Sequence, residues 1–328
     1  MVSAMVAHRA RSGPPSFHDV RHLESVDSTN NYLLHQAALG ADEGMVVVAE
    51  HQERGHGRLG RHWEAPPGSS LLLSVLLRPT LPDRLLFWCS TALAAAAADA
   101  AAQVADIAVG LKWPNDLVVD ADVVRARSAR PAADDSGATP ERKLGGVLAE
   151  RTGDALVVGL GLNVNWPAAF PPEIAAIATS LNHLDGGARA AAGSGGGPVA
   201  TIDRSIVLEA VLDGFAWRYL ELSQTGGTER ARDEYRRRCV TLGRDVAVQL
   251  AQGTVVGVAQ DVDEEGHLLV ETAAAAGPSA VGSTATGQPA AVVGRGDGAR
   301  GETRPGASDQ GLRSFSAGDV VHLRDMHG

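Results

Sequence analysis

Three short segments of this chain concentrate cations and glycines: Gly55-His56-Gly57-Arg58-Leu59-Gly60-Arg61, Lys112-Trp113-Pro114-Asn115-Asp116 and Lys143-Leu144-Gly145-Gly146. Glycine lets a backbone approach a ligand closely, and guanidinium and ammonium heads supply fixed positive charge. Such a set suits a polyanion, a nucleotide above all, held beside a group to be activated. The first loop is not a P-loop, since GxxxxGK[ST] is missing. Its GxGxxG spacing matches a dinucleotide fingerprint only superficially, because Trp63, Pro66 and Pro67 follow where a helix should open.

Each segment also has a plain structural reading. Pro114 restricts Trp113 to extended or turn geometry, so a cation, an amide and a carboxylate project from one corner. Asp116 there could hold Mg²⁺ or a polar ligand group, and Asn115 can donate and accept. The alternative is an ordinary Asn–Asp turn beside a solvated Lys112. Gly145 and Gly146 inside an apolar run mark close approach of a ligand or of another strand, and Gly159-Leu160-Gly161-Leu162-Asn163 repeats the idea. Asp27-Ser28-Thr29-Asn30 reads either as a helix cap or as hydroxyls at a helix N-terminus that bind a polar head group. No HExxH signature occurs, so no zinc-type site is expected.

The elements that must position these groups follow from pattern. The chain has 328 residues, enough for one large domain or two unequal ones, and is 44% hydrophobic but only 4% aromatic. The core must therefore be built from Leu, Val, Ile and Ala. A net charge of −10 disfavours nucleic acid as a partner. The two cysteines, Cys89 and Cys239, have no partner spacing and read as reduced thiols of a cytoplasmic protein. Leu85 to Ala98 is the longest apolar stretch, shorter than a membrane span, and no apolar signal core is seen; no membrane role is expected.

Residues 1–16 read as a flexible N-terminus. A helix is expected from the Asp-Ser-Thr-Asn cap to Gly40, then strands at 45–50 and 70–78 and an alanine-rich helix over 82–104. Strands follow at 107–113 and 117–119. Residues 120–141 read as a mobile loop, 143–150 and 155–165 as a strand pair, and 173–181, 204–222 and 229–239 as helices. A linker is expected at 185–199. Short strands at 245–250, 254–261 and 267–271 suggest a small β-barrel, interrupted by a low-complexity insertion at 273–311 and completed by one strand at 315–324.

The joint order of these motifs, with Gln52 ahead of the glycine-arginine loop and Trp63 after it, resembles the biotin protein ligases over residues 18–270 plus the last strand. The resemblance implies an α+β fold: a mixed-sheet catalytic domain of the class II synthetase type over 17–240, with helices on it, and a small C-terminal SH3-like β-barrel over 241–328. It implies ATP-dependent activation of biotin to biotinyl-5′-AMP, with Mg²⁺ on the phosphates, and transfer to a lysine of the biotin carboxyl carrier domain of an acyl-CoA carboxylase. By the same likeness, Arg58, Lys112, Lys143 and Asp116 would serve catalysis. Ser28, Thr29, Asn30, Gln52, Gly55, His56, Gly57, Arg58 and Lys143 would hold biotin. Arg58, Arg61, Trp63, Asn115, Lys143, Gly145, Gly146 and Asn163 would hold ATP or the adenylate. His56 stands where the family usually has Arg. The stretch ahead of residue 18 is too short for the winged-helix domain of the DNA-binding members, so a repressor role is not expected. Either a monomer or a homodimer is compatible with the resemblance. A lipoate ligase of the same fold and a non-enzymatic biotin-binding regulator are the alternatives; exchange of pyrophosphate into ATP with biotin or with lipoate separates them.

Overall fold

The computed structural model describes residues 17, 19–127, 141–167, 169–184, 201–250, 253–272, 311–316 and 318–322. The N-terminal 1–16, the linker 185–199 and the insertion 273–310 lie outside the described residues. Twelve described strands form two sheets. The larger has seven: β1 (Asp19–Val26), β2 (Met45–Gln52), β3 (Ser70–Leu77), β4 (Gly110–Lys112), β5 (Asp116–Asp120), β6 (Glu141–Thr152) and β7 (Ala155–Asn163), in the order β1-β2-β3-β7-β6-β5-β4. β1 runs parallel to β2 and every other pair is antiparallel, which makes the sheet mixed.

β3 reads SLLLSVLL and is buried along its whole length because both of its faces are covered. One face packs under α1 (Thr29–Ala38), where Leu33 and Ala37 meet Val47, Leu76 and Val157. The other carries Val46, Leu73, Val75 and Val158 against α2 (Phe87–Ala105). The stretch 83–105 is long and apolar enough to cross a membrane, beyond the sequence expectation, but 67% of its 18-residue apolar window is buried here, as in a core helix.

Several expectations are corrected. β1 was not foreseen, since DVRHLESV is polar and its burial does not alternate cleanly. Part of the expected 120–141 loop is a helix, α3 (Ala121–Arg127): Asp120 caps it by accepting from the Asp122 and Val123 amides. Residues 128–140 lie outside the described residues, and Glu141 already belongs to β6. The expected helix over 173–181 is only α4 (Pro172–Ala175), because the chain beyond it is drawn into pairing with β6: the Lys143 amide donates to Ile177 O at 2.7 Å and Thr179 N to Lys143 O at 2.9 Å. Helices α5 (Arg204–Leu222) and α6 (Gly227–Arg238) lie close to the expected bounds.

The second sheet is antiparallel: β8 (Asp245–Leu250), β9 (Gly253–Val262), β10 (Leu268–Glu271), β11 (Leu312–Phe315) and β12 (Asp319–His322), ordered β11-β10-β9-β8-β12. The single strand expected over 315–324 is therefore two, at opposite edges of the sheet, divided at Gly318 (φ 146°). Its apolar face (Val246, Val248, Val270, Phe315) joins the same core as α2 and the large sheet. Two buried indoles seal the junction. Trp88 Nε1 donates to Glu264 O at 2.8 Å and Trp113 Nε1 to Gly266 O at 2.9 Å. Cys89 and Cys239 are both free and buried, and burial pushes the Cys89 thiol up to about 12.

Candidate active site

A cleft of about 820 Å³ opens over the face of β6 and β7, a size suited to a nucleotide or drug-sized ligand. Its floor is set by glycines two residues apart on β7. A Cβ at Gly159 would stand 2.2 Å from Asn30 Oδ1, and one at Gly161 2.6 Å from the Trp63 indole. These glycines let two side chains of the protein itself lie flat on the sheet.

One end of the cleft is a polar corner at the start of α1. Ser28 occupies the N-cap position in extended geometry, but its side chain makes no capping bond. Gln52 does that work from the end of β2: its Oε1 accepts the Thr29 amide at 2.8 Å and the Thr29 hydroxyl at 3.0 Å. Ser74 of β3, buried beneath, lies 2.8 Å from Thr29 Oγ1 and 2.6 Å from Asn30 Oδ1. Asn30 Nδ2 donates to Glu150 at 2.7 Å, and the same carboxylate oxygen lies 3.1 Å from His56 Nε2. His56 is thus tied to Glu150.

The glycine-arginine loop crosses above this corner. Gly55 is buried beneath it, because the Trp63 amide closes onto Gly55 O at 2.9 Å and a Cβ there would meet Trp63 O at 2.5 Å. Gly57 N donates to Arg61 O at 2.7 Å, so this amide is used inside the loop and does not face a ligand. Leu59 sits at φ 57°, a conformation that costs a non-glycine residue, with its side chain 69% exposed. Arg61 is at the rim, ion-paired with Asp319 of β12. Arg58 turns into the cleft and has no ion-pair partner among the described residues. Burial lowers its pKa below the usual arginine value, opposed by Asp319 and Asp116.

The far wall is the Lys112–Asp116 corner and β6. Lys143 Nζ lies 2.6 Å from Asp116 Oδ1 and 5.6 Å from the centre of the Trp63 ring, a cation–π distance. Lys112 is not a free cation: Glu141 Oε1 holds its Nζ at 2.5 Å. Asn115 ties its turn to β6, its Nδ2 donating to Val147 O at 2.9 Å. Asn163 spends its amide on Thr179 O, at 3.0 Å, and on the Trp166 indole, at 2.9 Å. Gly146 lines the cleft. Gly145 does not, since a Cβ there would meet Gly161 O at 2.7 Å; its absence of a side chain serves strand packing.

The structure thus brings Ser28, Thr29, Asn30, Gln52, His56, Gly57, Arg58, Arg61, Trp63, Lys112, Asn115, Asp116, Lys143, Gly146 and Asn163 to one cleft, and leaves Gly55 and Gly145 behind its wall. Sequence reasoning missed Ser74, Glu141, Glu150, Asp319 and His322. Ser74 alone carried a signal, a hydroxyl on the α1 face of an otherwise apolar strand. No cluster of three potential metal ligands exists among the described residues.

Comparison with known proteins gives the class first. Residues 22–165 match the family model described as Biotin/lipoate A/B protein ligase family, and residues 241–276 match Biotin protein ligase C terminal domain. The chain is 36% identical over 250 residues to the biotin–[acetyl-CoA-carboxylase] ligase of Mycobacterium tuberculosis, spanning 74% of this chain and 80% of that one. It is 29% identical over 262 residues to the bifunctional ligase/repressor BirA of Bacillus subtilis, spanning 78% and 69%. A structure of the Aquifex aeolicus biotin protein ligase in complex with biotin and ATP superposes with a TM-score of 0.63 at 23% identity, covering 94% of this chain and 99% of that one; it shares the fold. The chain belongs to the biotin protein ligase family and is a ligase.

Proposed function

We propose that this protein activates biotin with ATP to biotinyl-5′-AMP and transfers the biotinyl group to a lysine of a biotin carboxyl carrier domain. The observation that carries the reading is the convergence of Arg58, without an ion-pair partner among the described residues, and of Lys143 on one cleft whose other end is the polar corner of Thr29, Asn30 and Gln52. In the first step a biotin carboxylate oxygen bonds to the α-phosphorus of ATP and the bond to the bridging oxygen breaks, releasing pyrophosphate. Two anions must meet, so fixed cations at the reacting centre are the main lever. Arg58 supplies a charge with no direct ion-pair partner among the described residues. Lys143 supplies a second, aimed by Asp116 and by the Trp63 face, and an incoming anion can share it with Asp116.

Mg²⁺ bound with ATP would neutralise phosphate charge. Asp116, which also pairs with Lys143, would be the carboxylate to add a ligand to it, with the metal held mainly by substrate phosphates. In the second step the carrier amine, having lost a proton, attacks the acyl carbon and AMP departs. The polar corner is matched to a ureido group, which both donates and accepts.

The test is incubation of the full chain with ATP, Mg²⁺, biotin and a carrier domain, followed by intact mass of the carrier. A gain of one biotinyl group is expected. Gain only with lipoate, or binding of biotin with no AMP formed, would sink the proposal. Lys143→Ala should lower the rate of transfer roughly 10²- to 10³-fold while leaving the circular-dichroism spectrum unchanged.

A further inference from the structure

Lys112 and its neighbour Trp113 are the two ends of a closed ring of hydrogen bonds that runs through the second sheet. The Trp113 amide donates to Thr241 Oγ1 at 3.0 Å. Thr241 Oγ1 lies 3.2 Å from His322 Nε2, and His322 Nδ1 lies 3.1 Å from Glu141 Oε2. Glu141 Oε1 takes Lys112 Nζ at 2.5 Å. The side chain of His322 is 0% exposed, that of Glu141 6% and that of Lys112 15%.

An amide N–H can only donate, so Thr241 Oγ1 accepts from Trp113 and keeps a second lone pair and its own proton for His322 Nε2. His322 Nδ1 faces the Glu141 carboxylate, which is acceptor-only when ionised, and donates to it. The charged groups facing His322 are Glu141, Lys112 and Arg244, whose Nη1 is 3.7 Å from Glu141 Oε2. Burial lowers the pKa of His322; Glu141 opposes this and Lys112 and Arg244 add to it. Burial pushes the Glu141 carboxyl up, but the bonds from His322 and Lys112 and the Lys112 charge outweigh it and hold the group at about 2. The two shifts favour a neutral imidazole and an ionised carboxylate, and in that pairing Nδ1 carries the proton that Glu141 accepts.

Lys112 and Glu141 line the cleft, whereas Thr241 and His322 stand behind it. We propose that Glu141, His322 and Thr241 are positioning residues that hold the Lys112 ammonium at the cleft wall, so that the second sheet takes part in catalysis without touching substrate. The inference rests on the ligase reading above. Without this ring Lys112, on a flexible four-carbon stem, would sample open solvent in the cleft.

A double-mutant cycle on the full chain tests it, using His322→Gln, Glu141→Gln, Lys112→Ala and each pair with Lys112→Ala. His322→Gln should lower kcat for carrier biotinylation roughly 10- to 100-fold, the usual cost of losing a group that orients a functional side chain, with the KM for biotin and ATP changed less than about twofold. In the Lys112→Ala background the same change should do nothing further. Full additivity, or an undiminished kcat in His322→Gln, overturns the proposal. If His322→Gln does not fold, the near-isosteric Glu141→Gln decides by the same cycle; failure of both to fold marks a purely structural cluster and also overturns it. A wild-type chain that biotinylates nothing would refute the ligase reading instead, and the two failures are told apart by that control.

Discussion

At the scale of single residues, the cleft is shaped by what glycine leaves out. Gly159 and Gly161 face the cleft side of β7, and the space of each missing Cβ is taken by Asn30 and Trp63. Asn30 cannot simply swing aside, since Leu148 O, Glu150 and Ser74 all hold its amide. Gly159→Ala should therefore displace Asn30 and spoil the polar corner. Overpacking of this kind costs about 1–3 kcal/mol, so the KM for biotin should rise roughly tenfold while that for ATP stays near its wild-type value. Kinetics of ATP–pyrophosphate exchange at varied biotin measure this; an equal rise in both constants would show that the two ends of the cleft are not independent. His56 and Leu59 illustrate the opposite case, where residue type alone misleads. His56 is engaged with Glu150, and Leu59 holds a left-handed backbone with its side chain in water.

At the scale of elements, strand ends and helix starts exchange the groups they need. The end of β2 caps α1 through Gln52, the chain after α4 fixes the backbone of Lys143, and β12 supports β4 through His322 and Glu141. The last link carries a pH dependence whose sign follows from the two shifts. His322 is lowered from 6.5, so the unfolded chain takes up its proton first as pH falls, and stability present above about 6.5 is lost below it. Glu141 is lowered from 4.5 to about 2, so a further loss follows between these values. Urea midpoints of the wild type and of His322→Gln between pH 7.5 and about 5 should converge as pH falls, with a difference in slope of at most about 1.4 kcal/mol per pH unit, one proton's worth. Parallel curves would place the protonation of His322 outside the folding equilibrium.

At the scale of the whole molecule, the two sheets share one core. Trp88 and Trp113, from the large sheet's side, donate to consecutive parts of the β9–β10 turn, and Arg236 Nε of α6 reaches Asp261 of β9 at 2.6 Å. Gly266 is the tightest point: at φ 84° a Cβ would stand 2.0 Å from the Phe87 ring. Gly266→Ala should lower stability by about 1–3 kcal/mol and reduce ligase activity with it, since the turn anchors Trp113 beside Lys112. A urea titration followed by both tryptophan fluorescence and circular dichroism should show one transition at a lower midpoint with unchanged slope. Two separated transitions would mean that the sheets unfold independently.

Local pattern carried much of this protein. The apolar runs read at 45–50 and 70–78 became the strands β2 and β3 because continuous hydrophobicity requires cover on both faces, and α5 follows from the i, i+4 repeat of Val207, Val211 and Phe215. The spacing of Arg58, Lys112 and Lys143 among glycines was enough to point to a nucleotide-type polyanion site. What lay beyond reach was every partnership made across the sheet order: Lys112 with Glu141 and His322, Arg61 with Asp319, Asn30 with Ser74 and Glu150. Residue type and spacing report which groups a chain owns and the local geometry it prefers. Which charges end up neutralised and which, like Arg58, find no ion-pair partner among the described residues depends on distances between remote segments, and only folding sets those.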